Sequence, residues 1–377
     1  MKRISNTNRI ILLCIIATIS NVVRAQPFIT GQTYFGNGSY IEYLCGSLPV
    51  IISAPHGGLL EPVNIPDRDC DNPDFTCVTD FNTQELSRAI ANSLYDLTGC
   101  YPHLIINKLH RKKLDANREI VEAAAGNPIA EQAWYDFHSF IDSSASRVTQ
   151  VNGKGLYIDL HGHGHSVQRL ELGYLLFKSE LQLADAVLDL PPYPGYTSIL
   201  HLDSNNLADL SLSGLLRGNN SLGTMFANKG YPAVPSTQDP FPDGNESYFT
   251  GGYNTDRHGS RTGGTIDGIQ MECNYNGVRN NQANYERFAD SVAIVIVDYL
   301  QAHYFNDFYN TQTVLLSGNE DVCPGEIITY AVADVPGANY LWSISGGMIV
   351  AGQGTHEVSV QWDDNVLQGI INIAIDW

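Results

Sequence analysis

Leu48-Pro49-Val50-Ile51-Ile52-Ser53-Ala54-Pro55-His56-Gly57-Gly58-Leu59-Leu60-Glu61 is the stretch from which the fold reads outward. Its Val-Ile-Ile run predicts a buried strand over 48–53, and chemistry-bearing residues follow at once. In open α/β sheets, ligands bind just beyond the ends of such strands. The next segment, 82–98, predicts a helix capped by Asn82, with Glu85 completing a capping box and Leu86, Ile90, Leu94 and Leu97 as apolar stripe. Gly99 stops it. Further strands are expected over 104–107, 156–160, 172–177 and 266–273. A long helix over 285–305 carries Phe288, Val292, Val295, Val297 and Leu300. This alternation, from about residue 26 to 308, marks an α/β layer architecture.

The chain has 377 residues, room for two or three domains. Apolar content of 43% and aromatic content of 10% support a packed core and exclude global disorder. With 21 Lys and Arg against 40 Asp and Glu, the net charge is −19. That field argues against binding nucleic-acid phosphates or an anionic membrane surface. An anionic substrate needs a local cluster of Arg. Residues 1–25 join a basic start (Lys2, Arg3, Arg9) to an apolar run over 10–19 and end Val23-Arg24-Ala25. They read as a secretory signal peptide cleaved after Ala25, because the run falls short of the roughly 20 residues a membrane span needs. Its loss takes the charge from −19 to −23. The expected location is extracellular or periplasmic, with no transmembrane segment.

Export permits disulfides. Beyond the signal lie Cys45, Cys70, Cys77, Cys100, Cys273 and Cys323, an even set compatible with three bridges. Cys70 and Cys77, flanking a short acidic loop, are the expected pair. After Tyr309 the helices cease. Short β-rich runs over 314–316, 327–332, 340–343, 357–362 and 370–375, set between Pro-Gly and Gly-Gly turns, predict a small antiparallel sandwich over 313–377. Residues 309–313 read as its linker. The last run nearly reaches Trp377, so the module is expected to be incomplete.

The motifs G-x-S-x-G, P-loop, G-x-G-x-x-G and H-E-x-x-H are missing from the sequence. Polar residues after apolar strands carry the chemistry instead. His56 leaves a strand, and Glu61 can swing back toward it. A nearby His and Glu plus a distant His is the ligand layout of a catalytic zinc. Tyr157-Ile158-Asp159-Leu160-His161-Gly162-His163-Gly164-His165 supplies the distant His. An extended segment would put His161, His163 and His165 on one side. Interleaved glycines argue for a loop in which one binds. Asp159 is placed to orient a ligand from behind. Asn117-Arg118 at a helix start suits capture of a carboxylate, or is a plain helix cap with a surface Arg. Glu272 sits inside the apolar strand Gly268-Ile269-Gln270-Met271-Glu272-Cys273-Asn274, a costly place for a carboxylate unless paired or used. It is a general base, or a structural partner of Arg118 or Arg257. Asp67, Asp69 and Asp71 alternate like a calcium loop but lack its later Gly and Glu, so a solvated acidic loop is expected.

Taken in order, the P-H-G-G turn, the D-x-N-R stretch, the D-L-H strand end, Gly251-Gly252-Tyr253 and the Q-x-E strand resemble the N-formylglutamate amidohydrolase family. They are also similar to zinc carboxypeptidases and bacterial poly-γ-glutamate hydrolases. The resemblance covers roughly 49–274. It implies a mixed central sheet flanked by helices, with His56, Glu61 and His161 holding Zn2+. It further implies Glu272 as general base and Arg118 as carboxylate anchor. Arg257 or Arg261 is expected to help Arg118. Cys323-Pro324-Gly325 and Tyr340-Leu341-Trp342-Ser343 resemble polycystic-kidney-disease-like (PKD-like) modules of secreted bacterial proteins, which suggests cell-surface or glycan contact. The expected function is a secreted zinc-dependent amidohydrolase or carboxypeptidase-like enzyme acting on a small anionic amide or peptide. The alternative is a catalytically inactive surface-binding protein on a degenerate hydrolase domain.

Overall fold

The computed structural model describes residues 28–376 other than 74, 307, 309–315, 320–321, 324, 335–337 and 364–368. The expected signal peptide and linker lie outside the described residues. An eight-stranded mixed sheet forms the centre, from β1 (Thr33–Phe35), β2 (Ile41–Leu44), β3 (Val50–Ala54), β4 (His103–Asn107), β5 (Gly155–His163), β6 (Leu170–Gly173), β7 (Ala233–Val234) and β8 (Ile266–Asn274). Its order is β1-β2-β4-β3-β5-β8-β6-β7. The middle strands β4, β3, β5 and β8 run parallel, whereas β2 and β6 are antiparallel to their inner neighbours.

Alternation along the strands sorts side chains between two cores. Val50, Ile52, Ala54, Leu156, Ile158 and Leu160 pack with α1 (Thr83–Thr98) and the helix Gln282–His303. Ile51, Ile105 and Tyr157 face the opposite side, with Trp134, Phe137 and Ile141 of the long helix Pro128–Asn152. With both faces covered, the central strands are buried at nearly every residue. Period two also puts Ser53, Tyr157, Asp159 and His161 on one face, where Ser53 Oγ donates to Asp159 Oδ1 at 2.6 Å.

Two local expectations need correction. Asn82 precedes α1 in the left-handed region (φ 64°), and its side chain makes no bond to the helix N–H groups. Its Nδ2 instead donates to Arg279 O at 2.6 Å. Of the cysteines, Cys70–Cys77 is bridged as expected, while Cys45, Cys100 and Cys273 are buried free thiols and Cys323 is an exposed one. The acidic loop spends Asp67 on Lys113 at 2.6 Å, an ion pair on the surface.

The C-terminal module pairs β9 (Ile327–Ala331), β11 (Gly347–Ala351) and β12 (Glu357–Trp362) in one antiparallel sheet, and β10 (Asn339–Ser345) with β13 (Ile370–Asp376) in another. Alternate residues fill its core, with Tyr330, Trp342, Val358, Val360 and Trp362 buried. Of the run expected over 314–316, residues 314 and 315 lie outside the described residues. No helix among the described residues is long and apolar enough to cross a membrane.

His103 makes the fold acid-sensitive. Its buried Nδ1 accepts from the Tyr43 hydroxyl at 2.9 Å and from Gly46 N at 3.3 Å. Burial, with a smaller push from Arg147, lowers its pKa from 6.5 to about 3. Stability tied to the neutral ring is therefore complete above pH 6.5 and is lost as pH falls toward 3. Between pH 7 and pH 5 this group removes about 2 kcal/mol. Urea unfolding of wild type and His103→Gln at both pH values checks it: the variant should lose about 2 kcal/mol less than wild type.

Candidate metal centre

His56, just beyond the C-terminal end of β3, meets Asp80 and His161, which lies near the C-terminal end of β5, with ligand-capable atoms all within 4.8 Å of one another. His56 Nδ1 is 3.5 Å and His161 Nδ1 3.3 Å from Asp80 Oδ2. All three are buried. Each imidazole is held at its other nitrogen, His56 Nε2 by Asp115 Oδ1 at 2.6 Å and His161 Nε2 by Asp159 Oδ2 at 2.8 Å. A carboxylate only accepts, so both rings place their proton on Nε2 and turn the Nδ1 lone pair inward. Two lone pairs and a carboxylate then face each other. His56 Nδ1 is buried without a hydrogen-bond partner. Such a set is unfavourable unless a cation joins it, and two imidazoles with one carboxylate suit a catalytic divalent metal with a position left open. Carboxylates behind the histidines are its usual support. The residues present fit a zinc ion.

Local sequence explains the convergence. Gly57 and Gly58 follow His56 because backbone passes too close for any side chain. A Cβ on Gly58 would stand 2.2 Å from Leu109 O, and one on Gly57 2.7 Å from Gln84 N. The tight approach carries the chain toward α1, where Asp80 N donates to His56 O at 3.0 Å. Gly162 N donates to Asp80 Oδ2 at 3.1 Å, pinning that carboxylate beside β5. Burial alone would raise the Asp80 pKa, but with no cation bound, protonated His161 and His56 hold it low, a role that a bound cation takes over when Nδ1 of each ring is a lone pair. Asp115 is likewise held low, despite burial, by His56 and Arg111. Arg111 Nε lies 2.9 Å from Asp115 Oδ2 and Arg68 Nη1 3.7 Å from it.

Glu272 is directly opposite His161 in the β5–β8 ladder and opposite Glu171 in the β6–β8 ladder. It is buried, and Gln270 Nε2 donates to its Oε1 at 2.9 Å. Burial raises its pKa to about 8, with Asp80 and Glu171 pushing the same way and His161 opposing. A cation held by the triad would pull that value down again. Neither Arg118 nor Arg257 pairs with it.

Apart from Asn117, the structure separates the other sequence candidates from the triad. Glu61 does not turn back toward His56. It points to the surface, where Lys112 Nζ holds it at 2.6 Å with the side chain 45% exposed. Asp80, two dozen residues downstream of His56, stands where Glu61 was expected. Asn117 is buried against His161, with Nδ2 at 3.3 Å, while its Oδ1 accepts from Asn254 N at 2.8 Å. Arg118 bonds Glu122 Oε1 at 2.9 Å. Arg257 lies over Trp134 and beside Asp142, lining a hollow of about 540 Å³ with Thr265 and Ile266. That places it at the start of β8, the far end of the strand from Glu272. Arg261 pairs with Asp256. His163 lies within β5 rather than in a loop, and its Nε2 bonds Arg169 O at 2.8 Å.

Four contributors were not singled out from the sequence as part of a site. They are Asp80, Asp115, Asn254 and Arg279. Asn254 Nδ2 donates to Asp159 Oδ1 at 3.2 Å. Arg279 donates to Cys273 O, Phe81 O and His163 O, tying the approach to α1, β5 and β8 into one frame. Asp115 opens the D-x-N-R stretch already quoted, and Asn254 directly follows Gly251-Gly252-Tyr253. Asp80 carried no spacing signal.

Solved structures similar to this chain include the N-formylglutamate amidohydrolase of Ralstonia eutropha JMP134, at 11% identity and TM-score 0.39, covering 70% of this chain and 94% of that one. A gene product of Agrobacterium tumefaciens is similar at 12% identity and TM-score 0.39, covering 70% and 95%. The succinylglutamate desuccinylase of Chromobacterium violaceum is similar at 12% identity and TM-score 0.31, covering 89% and 94%. No curated protein matches the sequence. Residues 310–375 match the family model of the PKD-like domain, so the C-terminal module is similar to that family.

Proposed function

We propose that the chain is an exported zinc-dependent amidohydrolase acting on an amide near a carboxylate, such as an N-acyl-glutamate, a γ-glutamyl amide or a peptide end. The observation that carries this reading is the buried His56–Asp80–His161 triad with Glu272 directly opposite His161. His56, Asp80 and His161 would hold the ion, which when bound supplies Lewis acidity toward a carbonyl and toward an attacking water. Glu272, oriented by Gln270, takes the proton from that water as the C–O bond forms. Asp115 and Asp159 keep both imidazoles in the tautomer that presents Nδ1. Arg118, next to Asn117 at the rim, exchanges Glu122 for the substrate carboxylate. The PKD-like module holds the enzyme at a surface or glycan.

Metal analysis of the purified, dialysed protein should return close to one zinc per chain. A screen over N-formyl-L-glutamate, γ-glutamyl polymers and peptidoglycan fragments should show release of free amine. A metal-free protein, inert throughout that panel, would leave the inactive surface-binding reading in its place.

A further inference from the structure

At the end of the parallel strands away from the triad, His103 opens β4 and borders a small cavity of about 50 Å³. Arg147 borders the same cavity, with Thr30, Ser47 and the last turns of the helix Pro128–Asn152, and no Asp or Glu lines it. Because His103 Nδ1 accepts from the Tyr43 hydroxyl and from Gly46 N, the neutral ring carries its proton on Nε2. That N–H has no hydrogen-bond partner among the described residues, although the residue is only 1% exposed. Tyr43 also covers one face of the ring, stacked at 6.0 Å and 12°. With that face and the Nδ1 edge covered, the cavity is the space left for the N–H. Arg147 adds a charge. Its Nη1 donates to Phe28 O at 2.9 Å and its Nη2 to Thr30 Oγ1 at 2.8 Å, both neutral acceptors. No carboxylate pairs with it among the described residues, in a chain with 40 Asp and Glu. Nor does it stand in the last turn of its helix, where free carbonyls would meet the charge.

We propose that this cavity is a binding site for a small monovalent anion such as chloride, held by His103 Nε2–H and the Arg147 guanidinium. A half-buried cation without a counter-charge and a buried N–H without an acceptor are both satisfied by one anion, whereas water would answer only the N–H. The Thr30 hydroxyl, which accepts from Arg147, keeps its hydrogen for a further bond. A water takes about 10–15 Å³ of such space, so about 50 Å³ suits a monatomic anion with a water or two and not a large organic one. Thr30, Ser47, His103 and Arg147 come from four separate segments. A bound anion therefore ties the segment before β1, the turn before β3 and the start of β4 to the long helix, and stabilises the fold.

Thermal unfolding at constant ionic strength tests it, with sodium chloride replacing sodium gluconate, whose anion is too large to enter. The Tm should rise by several degrees and saturate with chloride, as binding to the folded state alone requires. Bromide should act likewise, and crystals soaked in bromide should show its anomalous signal between His103 Nε2 and Arg147. Arg147→Gln should raise the half-saturating chloride concentration about 10-fold or more, the loss expected for a hydrogen bond to a charged group. Arg147→Lys, which keeps the charge but not the planar fork, should retain most of the response. A Tm that stays constant as chloride replaces gluconate, or changes without saturating, overturns the proposal and leaves the cavity to water. Bromide in the crystal without a saturable effect in solution is binding at crystal concentration only, and overturns it too. So does an undiminished response in Arg147→Gln. Should that variant fail to fold, the wild-type titration and the bromide map still decide.

Discussion

Asp80→Ala should strip the centre of most of its zinc, whereas Glu61→Ala should keep a full complement. The contrast follows from position. Asp80 Oδ2 lies within 3.5 Å of both inward-facing imidazole nitrogens, while Glu61 is spent on a surface lysine. Removing Asp80 leaves two ligands in a buried site, and two imidazoles hold a divalent ion poorly. Asp115→Asn makes a finer test. It keeps the shape behind His56 but replaces a charged acceptor with a neutral amide. Affinity should then fall about 10- to 100-fold, the usual cost of losing a carboxylate behind a metal-binding histidine. Competition against a chromophoric chelator measures both effects. Zinc retained by Asp80→Ala but lost from Glu61→Ala would restore the ligand set expected from sequence and overturn the one derived from the fold.

Glu272→Gln should keep zinc and fold while kcat falls by about 10² to 10⁴, the range a general base contributes. Glutamine fills the same volume and can still meet Gln270, yet it accepts no proton from an attacking water. The substitution also removes a carboxylate that lies near two others, Glu171 and Asp80, so thermal stability should hold or rise. Arg118→Ala is the informative partner. Its effect should appear in KM, since an anchor that binds ground state and transition state alike leaves kcat in place. Near-normal turnover by Glu272→Gln would remove this residue from the mechanism, and Glu171 would be tested next. A variant that failed to fold would instead point to a structural role.

Much of the fold was legible because strands and helices announce themselves by period. The Val-Ile-Ile run at 50–52, the stripe Leu86-Ile90-Leu94 and the alternating run before His161 each fell within an element of the expected kind. The β-rich runs after residue 327 likewise became the strands of a small antiparallel module. Local reading was weaker at termini. Asn82 has the composition of a cap, but the approach to α1 is held by Asp80 and Arg279, so its side chain went elsewhere.

For the candidate centre, sequence alone determined that His56, His161 and Glu272 follow or occupy buried strands, where a polar residue has to be partnered or used. It also marked Asp159, as a carboxylate two residues before His161 placed to orient that ligand from behind. Only the tertiary structure decided who joins them. Glu61 was near His56 in sequence, yet the chain between them runs past Leu109 and presents Glu61 to solvent. Asp80 reaches His56 by closing a loop of more than twenty residues, and Asp115 reaches it from beyond β4. Arg257 was expected to pair with Glu272 or to help Arg118, but it sits beside the start of β8, and the strand is long enough to carry Glu272 to the opposite end. Strand period is a local property that neighbouring residues impose on one another. Which loop returns over which strand is set by packing of the whole sheet, and no short window of sequence contains it.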